Sequence, residues 1–122
     1  MFKREKGFTL IELIMVIVLL GLLAVVAIPK YFDLQTDAKL AAEKGVVGGV
    51  RAGIYTYFAK NKVYPTTLTG TVAVCSATNK CFDNVLDQGG IQQDWSCTTA
   101  GLGFKGPAGT TYTYKPVTGA FI

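Results

Sequence analysis

A chain of 122 residues, half of them apolar and with a formal net charge of +4, has room for one small domain and too little positive charge to argue for nucleic-acid binding. It contains no histidine, and its three cysteines, Cys75, Cys81 and Cys97, lack Cys-x-x-Cys spacing. A nucleophile–histidine dyad is therefore excluded and zinc has no obvious ligand set, so no enzymatic activity, cofactor or metal site is expected.

The chain opens on a short basic segment in which Lys3, Arg4 and Lys6 outweigh Glu5. From Phe8 to Ile28 an apolar run follows, interrupted by Thr9, Glu12 and Gly21. As a helix it would reach roughly 31 Å, enough to cross a bilayer core. Basic residues beside such a segment stay cytoplasmic, which sends the carboxyl-terminal remainder to the other side. Glu12 is the anomaly, because a carboxylate inside a membrane helix costs about 2.5 to 3.5 kcal/mol and is usually kept for a task. No Lys, Arg or His lies between Phe8 and Pro29. The nearest candidate cation is a newly exposed α-amine at Phe8, from the same chain or a neighbouring copy.

A basic leader followed by G-F-T-L-I-E-L at residues 7–13 resembles the class III signal of type IV pilins and pseudopilins. The resemblance implies that a prepilin peptidase cuts after Gly7 on the cytoplasmic side and methylates the new amine of Phe8. It also implies that Glu12 is needed for assembly, and it places Gly21 and Pro29 where the family carries a helix-loosening glycine and proline. An ordinary uncleaved signal anchor would explain neither Glu12 nor the missing polar spacer after the leader. The expected organisation is a leader at 1–7, a transmembrane or filament-core helix at 8–29, an amphipathic half of the same helix at 30–60 and a globular β head at 61–122.

Beyond Pro29, which should kink the helix without ending it, Leu40, Val47 and Ile54 recur every seven residues with Val50 and Tyr57 between them. This spacing predicts one apolar helical stripe, with Lys39, Glu43, Lys44 and Arg51 on the other faces. Gly45, Gly48, Gly49 and Gly53 weaken the helix by about 1 kcal/mol each relative to alanine. We read Gly45, Gly49 and Gly53 as a flat groove for close packing, with fraying as the alternative.

Tyr64-Pro65 should end the helical region, and the threonine-rich stretch Thr66 to Thr71 reads as a surface loop. Thr71 to Val74 has strand character, and Phe82 to Leu86 is a short apolar segment before a turn at Asp87 to Gly90. Trp95 to Thr98 and Leu102 to Phe104 read as paired strands, and Thr110 to Lys115 with Ala120 to Ile122 as a carboxyl-terminal hairpin. The polar tip between Cys75 and Cys81 looks like a stapled loop, so the disulfide is placed there, with Cys81 to Cys97 as the main rival. Cys97 would then be a free, buried thiol near Trp95. The sum is an α+β fold, a long helix packed on three or four antiparallel strands, which is the ladle of the family resembled.

Several features are read as structural. Asp83, Asp87 and Asp94 do not follow a calcium-loop spacing and are taken as surface charges. Lys60 and Lys62 are a solvated face. Tyr31, Phe32, Tyr55, Tyr57, Phe58 and Tyr64 are assigned to core packing rather than charge conduction. Of the D-P-W-G-N-P-Y-like motif usual in the major pseudopilin of type II secretion, only Asp94-Trp95 remains.

The expected function is that of a structural subunit of a type IV pilus, held first in the inner membrane and then in an extracellular filament. Its partners would be identical subunits, the prepilin peptidase, an inner-membrane assembly platform and the membrane itself, with no nucleic acid. The alternatives are a pseudopilin of a type II secretion system, or a minor pilin with an adhesive or DNA-binding head. Adhesion, twitching motility, DNA uptake and secretion are uses that the residues do not separate.

Overall fold

The computed structural model describes residues 6–69 and 74–122. A 52-residue helix, α1, spans Leu10–Asn61 and runs through Pro29 without interruption. The basic residues Lys3 and Arg4, and Gly70 to Ala73 of the loop and strand expected there, lie outside the described residues.

The chain forms two compact units, Met1–Asp37 and Ala38–Ile122. In the first, every large apolar side chain from Leu10 to Ile28 is exposed, as are Tyr31, Phe32 and Leu34. Tyr31 and Phe32 are therefore not core residues of the isolated chain. Exposed Tyr55 also departs from the packing expected of it, whereas Phe58 stacks on Tyr64 with ring centroids 4.4 Å apart.

In the second unit, the carboxyl-terminal part of α1 packs on a four-stranded antiparallel sheet of order β1-β2-β3-β4. The strands are β1 (Ser96–Thr99), β2 (Gly103–Lys105), β3 (Thr111–Lys115) and β4 (Ala120–Phe121). Cys97 faces Phe104, Phe104 faces Tyr112 and Tyr114 faces Phe121 in the ladders. Val47, Val50 and Ile54 enter the core with Leu68, Phe82, Trp95, Phe104, Tyr114 and Phe121. The sevenfold stripe thus does face the sheet, although Leu40 at its start remains exposed.

Glu43 overturns its expected placement. It is fully buried, on the face of α1 that also carries Val47, Val50 and Ile54. Arg51 stays exposed, but its Nε donates to the Phe121 carbonyl at 3.0 Å and ties α1 to β4.

The glycine-rich turns of α1 do not fray. Gly53 is the close approach, since a methyl there would run into the Val85 backbone, while Gly45, Gly48 and Gly49 face open space. The groove reading is therefore reduced, within this chain, to Gly53. The helix stops at Asn61, ahead of Tyr64-Pro65, because Lys62 takes a left-handed conformation with φ of 60° and donates its N–H to the Phe58 carbonyl at 2.7 Å.

The reading of Thr66 to Thr71 as a surface loop also changes. Leu68 and Thr69 are buried rather than on the surface: the Leu68 N–H donates to the Gly101 carbonyl at 3.0 Å, and the Thr69 hydroxyl to the Lys80 carbonyl at 3.0 Å. The short apolar segment Phe82 to Leu86 forms a tight turn, with Phe82 at φ 62° and the Leu86 N–H donating back to the Phe82 carbonyl at 3.1 Å. This turn drives the Phe82 ring into the core, 4.4 Å from Phe104. Cys75 and Cys81 are joined, with their Cα atoms 5.4 Å apart, and Cys97 is a buried free thiol whose sulfur receives the Gly101 N–H at 3.4 Å.

Candidate functional site

In the first unit the residues named by the motif converge on the start of α1. Gly7 and Phe8 precede the helix in non-helical backbone, and Phe8 is 93% exposed. Glu12 lies in the first helical turn. Its carboxylate receives the Thr9 N–H at 2.9 Å, and its own N–H donates to the Thr9 hydroxyl at 3.3 Å. This reciprocal pair is a capping box, which satisfies donors that a helix start otherwise leaves without partners. The Thr9-x-x-Glu12 spacing is the sequence signature of this cap, which gives Glu12 a local amide partner beside any cation.

Gly21 has open space around it and Pro29 is helical, so the two sit eight residues apart on an unbroken, exposed apolar helix. That helix is long and apolar enough to cross a membrane. Among the described residues there is no cluster of metal-binding side chains, and Asp83, Asp87 and Asp94 are all exposed.

The second unit holds a polar cluster centred on Glu43. Glu43 of α1 accepts the Ala108 N–H at 2.8 Å and the Tyr112 hydroxyl at 2.7 Å. Burial alone would raise its pKa. Hydrogen bonds from Thr110, Tyr112 and the Ala108 amide outweigh it and hold the carboxyl below the usual carboxylate range. Tyr112 is pushed above the usual phenol value by burial, then by its bond to Glu43 and the charge there. Tyr114, whose hydroxyl donates to the Pro65 carbonyl at 2.7 Å, is raised chiefly by burial. Periodicity gave no sign of this cluster, because its donors lie in a distant turn and strand.

Comparison with known proteins agrees with the amino-terminal geometry. Residues 2–28 match the family described as the prokaryotic N-terminal methylation motif. The chain is 35% identical over 72 residues to the type II secretion system core protein G of Pseudomonas aeruginosa, covering 59% of this chain and 51% of that protein. It is 32% identical over 89 residues to the type IV major pilin protein PilE of Neisseria gonorrhoeae, covering 71% and 53%. It is 40% identical over 63 residues to the type IV narrow pilus major component PilA5 of Thermus thermophilus, covering 52% and 54%. The chain spans about half the length of the curated relatives it matches. No solved structure matches it.

An apolar amino-terminal helix carrying a methylation signal, whose carboxyl-terminal part packs on a small antiparallel sheet, is a pilin-like arrangement. Over this region the chain is similar to type IV pilins and to a type II secretion core protein.

Proposed function

We propose that this chain is the structural subunit of a type IV pilus filament. It is held in the inner membrane by residues 8–29, cleaved after Gly7 by the prepilin peptidase, methylated on Phe8, and passed through an assembly platform into a filament of identical copies outside the cell. The observation that carries this reading is the exposed apolar surface of α1 from Leu10 to Ile28, which in isolation has nothing to cover it. Lipid covers it in the precursor and neighbouring helices cover it in the filament. Both surroundings are similarly apolar, so the transfer between them is near neutral and local polar contacts decide it.

Glu12 supplies such a contact by meeting the Phe8 amine of an adjacent copy. Gly21 and Pro29 mark where the helix loosens on leaving lipid, since Pro29 leaves the Val25 carbonyl without its helical donor. Continuous helical density from Leu19 to Tyr31 in an assembled filament would refute that loosening.

Intact mass spectrometry of filaments sheared from cells tests the whole reading. The expected species begins at a methylated Phe8, and a filament protein that begins elsewhere overturns it. The match to a type II secretion core protein favours a second reading, a pseudopilin. Deleting the gene separates the two, because loss of surface filaments with secretion intact supports the pilus, and the reverse supports the pseudopilin.

A further inference from the structure

The polar cluster around Glu43 is absorbed neither by processing nor by assembly. Its geometry is closed. The turn between β2 and β3 folds back on itself, with the Gly106 N–H donating to the Thr110 carbonyl at 3.0 Å and the Gly109 N–H to the Gly106 carbonyl at 2.9 Å. The Ala108 N–H, left over from that turn, points instead to Glu43. Gly106 lies against the carboxylate so closely that a methyl group there would collide with it.

Three donors, from Ala108, Thr110 and Tyr112, thus converge on two carboxylate oxygens that no water-exposed surface reaches. All three are neutral. Lys39, Lys44 and Arg51 on α1 and Lys105 on β2 are exposed, and among the described residues none forms an ion pair with Glu43; Tyr112 is the titratable group that faces it from β3. The negative charge is what suits this site, because an ionised carboxylate offers acceptors and nothing else.

We propose that Glu43 is an acid-sensitive latch, whose protonation frees the Gly106–Thr110 turn from α1 while the sheet stays paired. A protonated carboxyl brings a fourth donor to a site whose nearby turn carbonyls, those of Gly106 and Thr110, are already engaged, and at least one bond must be given up. The Ala108 amide is the one that leaves, because Ala108 is exposed and water can replace the carboxylate there, whereas β3 is held by its ladder to β2. The turn also borders a cleft of about 290 Å³ lined by Ala42, Val46, Ile91, Trp95 and Pro107, so its release widens that cleft. Trp95, the chain's single tryptophan, reports the event, with its ring 5.8 Å from that of Tyr112. The latch belongs to the folded head and goes beyond the filament reading, standing whether or not the chain polymerises.

The test uses the full chain in detergent micelles, with amide NMR and tryptophan fluorescence followed from neutral to acidic pH. Protection of the Ala108 amide should fall about tenfold in one step. The Tyr114 amide, which donates to the Leu102 carbonyl at 2.7 Å, should keep its protection through that step. Glu43→Gln should abolish the step. Persistence of the step in Glu43→Gln, or loss of Ala108 and Tyr114 protection together, would overturn the latch. If Glu43→Gln does not fold, Tyr112→Phe serves instead: losing a donor that favours the charged form should move the midpoint to higher pH, and an unmoved midpoint overturns the proposal.

Discussion

The Tyr112 hydroxyl donates to Oε1 of Glu43 at 2.7 Å, joining the third strand to a buried carboxylate on α1 across 69 residues of sequence. Hydrogen bonds to charged groups contribute about 1.5 to 3 kcal/mol, so Tyr112→Phe should lower stability by an amount in that range. Denaturant unfolding of the two proteins measures it.

The same pair gives stability a pH dependence of defined sign. Glu43 is held below the usual carboxylate range in the folded protein, so the unfolded chain takes up its proton first as pH falls. Its contribution is complete above the usual range and is lost as pH falls through the lower folded value. The gap in unfolding midpoint between the native chain and Glu43→Gln should therefore shrink on acidification from neutral pH. A gap that widens would contradict the assigned direction.

Two glycines of α1 should answer oppositely to the same change. Gly53→Ala forces a methyl into the Val85 backbone and should destabilise the head by about 1 to 3 kcal/mol. Gly49→Ala meets open space and gains helix propensity, raising stability by up to about 1 kcal/mol. Thermal unfolding of both variants compares them directly.

Glu12 caps the helix through Thr9 and, in our reading, also pairs with an amine during assembly. Glutamine can keep the capping box but not the charge. Glu12→Gln should therefore insert into membrane with its helix start intact while filament yield collapses, and the yield of Glu12→Ala should collapse as well. Electron microscopy of sheared material decides this, and a normal yield from the glutamine variant would show that the charge is dispensable.

The Cys75–Cys81 bridge closes a loop with a sequence separation of 6. Chain entropy assigns a loop this short about 2 to 2.5 kcal/mol, the expected loss in a Cys75→Ala, Cys81→Ala double variant. Non-reducing peptide mapping checks the pairing, and any linked peptide containing Cys97 would contradict it.

Much of the fold is legible from periodicity. Val47 and Ile54 mark the core side of α1, and the alternation at Thr111–Lys115 marks β3, because both follow local repeats. Glu43 was not legible, since a charged residue in an amphipathic helix is ordinarily solvated and its acceptor role depends on Ala108 and Tyr112, 65 and 69 residues away. Leu68 was hidden among threonines, and Phe82 owes its place to a positive φ that its residue type does not advertise. At the amino-terminal site the apolar run and Glu12 stand out, and so does the Thr9 cap once the spacing is read for hydrogen bonds rather than charge. How copies meet is written in no single chain.

Cys97 lends the protein a built-in clock. Its sulfur is shut inside the head under the Gly101 amide, so a thiol reagent can reach it once the structure around it opens. The rate of its alkylation at rising reagent concentration therefore counts openings, first as their equilibrium population and then, at saturation, as the opening rate itself. One residue thereby allows the endurance of the head to be timed without a dye or an engineered substitution.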